Sequence, residues 1–168
     1  FYFASNGKKT VSTEKTIGNV KYTFDDRGVA QDSWVHNSDK GTWKYYGDEE
    51  EPKLHTGWFQ AVPSKELNSN DHENGTTHWY YANSKGEITI PTADGEVGVA
   101  KTIDGKSYLF NEDGEMLTGL RILTYDGSKI IKISSEVDSI DTIKNMDSDT
   151  KKLLYLSDSG AAKTGTTT

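Results

Sequence analysis

The sequence predicts an all-β fold, a solenoid of stacked β-hairpin repeats with irregular insertions in its second half. Three observations predict it. A motif of ring residues, polar residues and Gly recurs along the chain. Apolar residues make up only 33% of the 168 positions, against roughly 45–50% in an average globular domain. A third of that apolar share is aromatic, since Phe, Trp and Tyr are 11% of the chain. One large aliphatic core is hard to build from such material, whereas neighbouring hairpins can bury each other's rings. The 16 Gly and the abundant Asn and Asp supply turns, because Gly takes φ > 0 without cost and Asn and Asp tolerate it.

The motif begins as Tyr2-Phe3-Ala4-Ser5-Asn6-Gly7 and returns as Tyr22-Thr23-Phe24-Asp25-Asp26-Arg27-Gly28 and Tyr108-Leu109-Phe110-Asn111-Glu112-Asp113-Gly114. Leu154-Tyr155-Leu156-Ser157-Asp158-Ser159-Gly160 is a weaker copy, and Trp79-Tyr80-Tyr81-Ala82-Asn83-Ser84-Lys85-Gly86 fits with Ala82 in the ring's place. Trp43-Lys44-Tyr45-Tyr46 starts another, whose turn is replaced by the acidic Asp48-Glu49-Glu50-Glu51. Alternating large rings make a half-buried strand, and the polar Gly turn closes a hairpin. Short return strands follow at Val29-Ala30, Lys53-Leu54, Glu87-Ile88 and Glu115-Met116-Leu117. The ring position thus runs through Phe3, Phe24, Tyr46, Ala82, Phe110 and Leu156, evenly at first and unevenly later. The expected organisation is a single repeat module over 1–168, with regular hairpins about 1–63 and hairpins with long insertions about 64–168. Residues 64–74 read as a polar loop. The largest insert is 121–148, in which Lys129–Ile133 reads as a strand and Val137, Ile140, Ile143 and Met146 as a short helix or turn.

Composition excludes several function classes. There is no Cys, so disulfides, thiolate metal sites and Cys nucleophiles are ruled out. A net charge of -7 argues against nucleic acid, which is held by clustered Lys and Arg. No apolar run approaches the ~20 residues of a membrane span. The chain opens on Phe1-Tyr2-Phe3, which reads as mid-strand, so it is expected to be a piece of a larger exported protein whose partner domain lies elsewhere. His36, His55, His72 and His78 show no His-Glu-x-x-His spacing, and no Gly-x-Ser-x-Gly elbow occurs. No catalytic residue, no cofactor and no metal site are expected. Asp71-His72-Glu73 reads as part of a solvated loop.

Thr56-Gly57-Trp58, Gly41-Thr42-Trp43-Lys44-Tyr45-Tyr46, Trp79-Tyr80-Tyr81 and Gly114-Glu115-Met116-Leu117-Thr118-Gly119-Leu120 resemble the cell-wall-binding (choline-binding) repeats of Gram-positive bacteria. They are similar too to the glucan-binding repeats of glucosyltransferases and the carbohydrate-binding repeats of large clostridial toxins. The resemblance covers most of the chain apart from the inserts. It implies a β-hairpin solenoid that anchors a neighbouring domain outside the cell, at the surface or wall. It also implies aromatic cages between successive hairpins, where ring faces attract a quaternary ammonium by cation–π interaction. Carried onto this sequence, Trp34, Trp43 and Tyr81 would make one cage, and Trp58, Trp79 and Tyr108 a second. Ser33 precedes Trp34 where the family has Gly. Later units carry Leu120, Ser107 and Leu153 where the rings should be, which implies that the C-terminal half has lost choline-type sites.

Three readings of function follow. The first is non-catalytic anchoring through choline on teichoic acid or through wall glycan. The second is a glucan- or host-glycan-binding adhesin module, with indoles stacking on sugars and Asp32, Asn37, Asp39 and Asn83 near their hydroxyls. The third is a structural spacer or protein-interaction stalk. Intact three-ring cages favour choline, open single indoles favour sugar, and fully packed rings favour the spacer.

Overall fold

The computed structural model describes residues 1–144 and 149–163, and leaves the side chains of Ile140 and Asp141 undescribed. It is nearly all β, built of antiparallel hairpins with two short helices among the described residues. Two compact units divide the chain: Phe1–Phe59 with Tyr81–Ile88, and Gln60–Tyr80 with Thr89–Thr168.

In the first unit, β1 (Thr13–Ile17) and β2 (Val20–Phe24) form one hairpin, and β3 (Trp34–Asn37) and β4 (Thr42–Tyr45) another. Gly18 and Asn19 between β1 and β2 have φ 55 and 67. Two successive positive φ values give a turn whose twist matches the flanking strands. β5 (Gly57–Ala61) and β6 (His78–Ala82) make a further two-stranded sheet.

The recurrent motif is one turn repeated. Phe3, Phe24, Ala82, Phe110 and Leu156 each form an antiparallel bridge with the residue six positions on. The return strand therefore shrinks to a single paired residue. After Phe24, the Asp25 carboxylate accepts from the backbone N–H of Arg27 at 2.9 Å and of Val29 at 2.7 Å. Asn83 and Asn111 repeat this with their side-chain oxygens, accepting from Lys85 and Glu87 and from Asp113 and Glu115. Those bonds draw the chain round so tightly that the fourth residue needs a left-handed φ, and Gly28, Gly86 and Gly114 supply it at 74, 79 and 80.

Successive hairpins are joined by a second repeated bond. In the first unit the N–H of Leu54 donates to Lys21 O and that of Ile88 to Trp43 O, both at 3.0 Å. In the second unit Met116 donates to Trp79 O and Ala162 to Ser107 O, both at 2.8 Å. Every acceptor stands three residues before a ring position. Phe24, Tyr46, Ala82, Phe110 and Leu156 are buried along with Leu54 and Ile88, whereas Phe3, in the first copy, is exposed.

The second unit is built differently. β7 (Gly98–Ile103), β8 (Lys106–Asn111), β9 (Gly119–Asp126), β10 (Lys129–Ile133) and β11 (Lys151–Leu156) form a five-stranded sheet in the order β11-β9-β10-β7-β8. Four strands each give one residue to an aliphatic core, Leu109, Leu123, Ile130 and Leu156, with Val97, Leu117, Ile133 and Leu154 against it. The 121–148 insert therefore supplies central strands, and β10 covers the expected Lys129–Ile133. The helix α2 (Ile140–Lys144) holds two of the three-spaced residues, and Met146 lies outside the described residues.

The segment 64–74, expected to be a loop, contains the helix α1 (Ser69–Asn74). Asn68 caps it, its side chain accepting from Asp71 N, and Gly75 ends it at φ 66. A six-residue helix with no buried residue has no hydrophobic period to announce it. Its signals are the caps alone.

Candidate functional site

The aromatic surface of the first unit follows from the register of one hairpin. Trp34 pairs with Tyr45 and His36 with Trp43 across β3 and β4. Residues two apart on a strand share a face, so four rings line one side. Trp34 lies 4.9 Å from Tyr45 and 6.5 Å from Trp43, the latter nearly perpendicular at 76°. The His36 imidazole lies flat on the Trp43 indole, 4.3 Å away with 4° between planes. Phe59 from β5 stacks on Tyr45 at 5.3 Å, and His55 meets Tyr45 at 5.1 Å and Phe59 at 5.2 Å. Burial pushes the Tyr45 phenol up, helped by Asp48. Burial also pushes the His55 imidazole down, with the Lys53 charge acting the same way.

Trp58 precedes Phe59 on β5, and adjacent strand residues point to opposite faces. The Trp58 ring meets the Tyr81 ring at 5.2 Å and 65°, an edge-on corner of two half-buried rings. On the other face of the β3–β4 hairpin lies a cavity of about 180 Å³ lined by Val35, Asn37, Lys40, Thr42, Lys44, Tyr46 and Glu87. Its polar lining includes Glu87, whose carboxyl is held below its usual range by the Asn83 amide, burial opposing and the Lys85, Lys44 and Lys40 charges assisting.

In the second unit Trp79 stands between His78 and the fully buried Tyr80, with 42% of its surface exposed. Burial drives the Tyr80 phenol far above its ordinary range. Tyr108 is half-buried on β8. The second unit also holds a cleft of about 360 Å³ lined by Asn111, Asp113, Arg121 and Lys132 among others. Asp113 is raised to about 6, first by burial and then by Glu115 and Glu112.

Of the first expected cage, Trp34 and Trp43 are brought together, and Tyr81 sits against Trp58. Of the second, Trp58 belongs to the first unit and Trp79 and Tyr108 to the second. Trp43 is 7% exposed, so it braces the site more than it opens it. The sequence reading omitted Tyr45, His55 and Phe59 from the ring surface. Tyr45, two positions after Trp43, shares its face, whereas the motif marks Tyr46 as the ring position. His72 and Glu73 lie on α1 instead of in a loop, His72 Nδ1 2.8 Å from Pro63 O and Glu73 3.5 Å from Lys65.

No family model matches the chain. It is 30% identical over 167 residues, 99% of its length, to glucosyltransferase-S of Streptococcus mutans. The chain is similar to proteins that carry choline- and glucan-binding repeats. It spans 10% of the length of that glucosyltransferase. Among solved structures it is similar to CbpJ from Streptococcus pneumoniae TIGR4, with TM-score 0.57 and 19% identity over 97% of this chain and 39% of that one. Choline binding protein F from Streptococcus pneumoniae, solved in the presence of a peptidoglycan analogue, matches with TM-score 0.57 and 20% identity over 99% of this chain and 39% of that one. These two likenesses, both under 25% identical, show a likeness of fold. Among the described residues no helix is long and apolar enough to cross a membrane.

Proposed function

We propose that this chain is the non-catalytic, polymer-binding module of a larger exported protein, a single stacked-hairpin solenoid that holds it to wall or extracellular polysaccharide. The observation that carries the reading is Trp79, 42% exposed on a strand whose next residue is wholly buried. A flat indole face suits the C–H face of a pyranose, and neighbouring polar side chains suit its hydroxyls. The relative named a glucosyltransferase supports the same ligand class.

Choline on teichoic acid is the second reading. It is favoured by the Trp58–Tyr81 corner, since two rings steeply inclined at 65° could serve as two walls of a cation cage. The Trp34–Trp43 pair has a similar angle, but the His36 ring already covers a face of Trp43. The proposed ligand-binding residues are therefore Trp79 and Tyr108 for sugar and the Trp58–Tyr81 corner for choline, with Trp34, braced by Trp43, as a separate ring position.

The test is a fluorescence titration with α-glucan oligosaccharides, peptidoglycan fragments and choline. Saturation by a glycan that is lost in Trp79→Ala and kept in Trp58→Ala supports the first reading. Saturation by choline that is lost in Trp58→Ala moves the function to the second. Flat responses to all three remove both and leave the spacer.

A further inference from the structure

Outside the aromatic surfaces, the second unit brings together three metal-ligating side chains from three separate elements. Asp71 comes from α1, His78 opens β6, and Glu115 follows the turn after β8. One ligand atom from each lies within 4.8 Å of the others. The His78 Nε2 is 2.8 Å from Asp71 Oδ2 and 3.5 Å from Glu115 Oε1.

This is more than a group of acidic side chains at a surface. The Glu115 side chain is only 8% exposed, and a buried carboxylate is costly unless its charge is met. Among the described residues, His78 is the sole basic group within ion-pair distance of Glu115 or Asp71. One imidazole N–H cannot satisfy two carboxylates, and it is already at hydrogen-bond distance from Asp71. A divalent cation between the three atoms would meet both charges at once.

The surroundings are arranged as a second layer of support. The Asn68 amide donates to Glu115 Oε1 at 3.0 Å and to Asp71 Oδ2 at 3.1 Å. The Asn111 amide donates to the other oxygen, Glu115 Oε2, at 3.0 Å. Such amides fix the direction of carboxylates without adding charge, as outer partners of metal ligands do. Asn68 also caps α1, and Asn111 also makes the Gly114 turn. The same two residues that shape the backbone thus hold the ligands in place. His78 and Asp71 side chains remain about a quarter exposed, which leaves a path for the ion and room for water to complete its coordination.

We propose that Asp71, His78 and Glu115 form a structural site for a divalent cation of the zinc class, clasping α1 to β6 and to the β8 turn. The donor set of one imidazole and two carboxylates suits zinc, whereas calcium takes oxygen ligands alone and more of them. The ligands are far apart in sequence, so no short motif announces the site. It is independent of the polysaccharide or choline reading.

The experiment strips the purified chain with EDTA and titrates it with ZnCl2 by calorimetry, with CaCl2 and MgCl2 in parallel and thermal melting as a second readout. Expected are one zinc per chain, a raised melting temperature, and silence with calcium and magnesium. Glu115→Gln keeps the shape while removing the charge and one accepting oxygen, and Asp71→Asn does the same at a more exposed position. Each should weaken zinc by roughly tenfold or more, and Glu73→Gln, on the same helix outside the cluster, should leave it unchanged. Absence of zinc binding by the parent chain overturns the proposal. So does zinc binding that survives both Glu115→Gln and Asp71→Asn, and so does saturation by calcium with zinc inert.

Discussion

The two units solve the same problem with different material. In the first, hairpins too short to stand alone bury Phe24, Tyr46 and Leu54, and a layer of Trp34, His36, Trp43, Tyr45, His55 and Phe59 covers one face. In the second, the 121–148 insert provides two central strands, and Leu109, Leu123, Ile130 and Leu156 pack as in an ordinary sheet. Both keep the same Gly turn and the same bond between hairpins. The repeat therefore specifies how one hairpin hangs on another, and leaves open what fills the space between.

That contrast can be broken most severely in the second unit. Leu123 is 2% exposed and sits in the four-residue core. Leu123→Ala should cost about 2–5 kcal/mol through lost burial and a cavity. Amide exchange should show β9 to β11 opening while β1 to β4 stay protected. Equal loss of protection in both units would mean that the repeat bond, and not the local core, sets stability. Next in size is Gly86→Ala. The added methyl would meet Leu54 while forcing a left-handed φ on Ala, for a cost of about 2–4 kcal/mol. Gly18→Ala, at a similar φ with nothing within 4 Å, should cost only about 1–2 kcal/mol. The difference between them, read by urea denaturation, isolates the packing of one hairpin on the next. Smaller again is Asn83→Ala, which removes the acceptor of two backbone N–H groups and should cost about 1–2 kcal/mol. At the equivalent position, Ser157→Ala should cost less, because the Ser157 hydroxyl is bonded to Ser159 at the surface.

The sequence was most readable where one chemical need dictates one residue. The left-handed turn demands Gly, so Gly28, Gly86 and Gly114 marked the hairpins, and the residue four before each Gly marked the ring seam. The β10 strand was legible from its run of Ile and Lys. The role of its hairpin in the middle of a sheet was not, because pairing between distant strands leaves no local pattern. The α1 helix was hidden by its polarity. Trp34 and Trp43, grouped by the family resemblance, lie 6.5 Å apart on one hairpin. Tyr81 was assigned to them from a family pattern, and its ring meets Trp58, a pairing that depends on the β5–β6 connection and on an interposed helix. His78, Asp71 and Glu115 had no spacing to betray them, since three elements deliver them.

The smallest expected effect tests whether the ring layer of the first unit behaves as a core. His55 lies against Tyr45 and Phe59, and burial holds its pKa below 6.5. Lys53 lowers it further, while Glu51 and Asp48 pull the other way. The folded chain thus prefers a neutral imidazole, whereas the unfolded chain takes up a proton as pH falls through about 6.5. The unfolded state then binds more protons, so stability is full above that pH and declines as pH drops, levelling off once the folded state is protonated too. Urea midpoints followed by fluorescence suit this measurement, because Trp34, Trp43 and Trp58 all belong to the first unit. The parent should lose more stability than His55→Gln between pH 7.5 and 5.5, so the gap between them should narrow on acidification. An unchanged gap would mean that His55 is solvated in both states, and that the ring layer is a surface available to ligand instead of a packed interior.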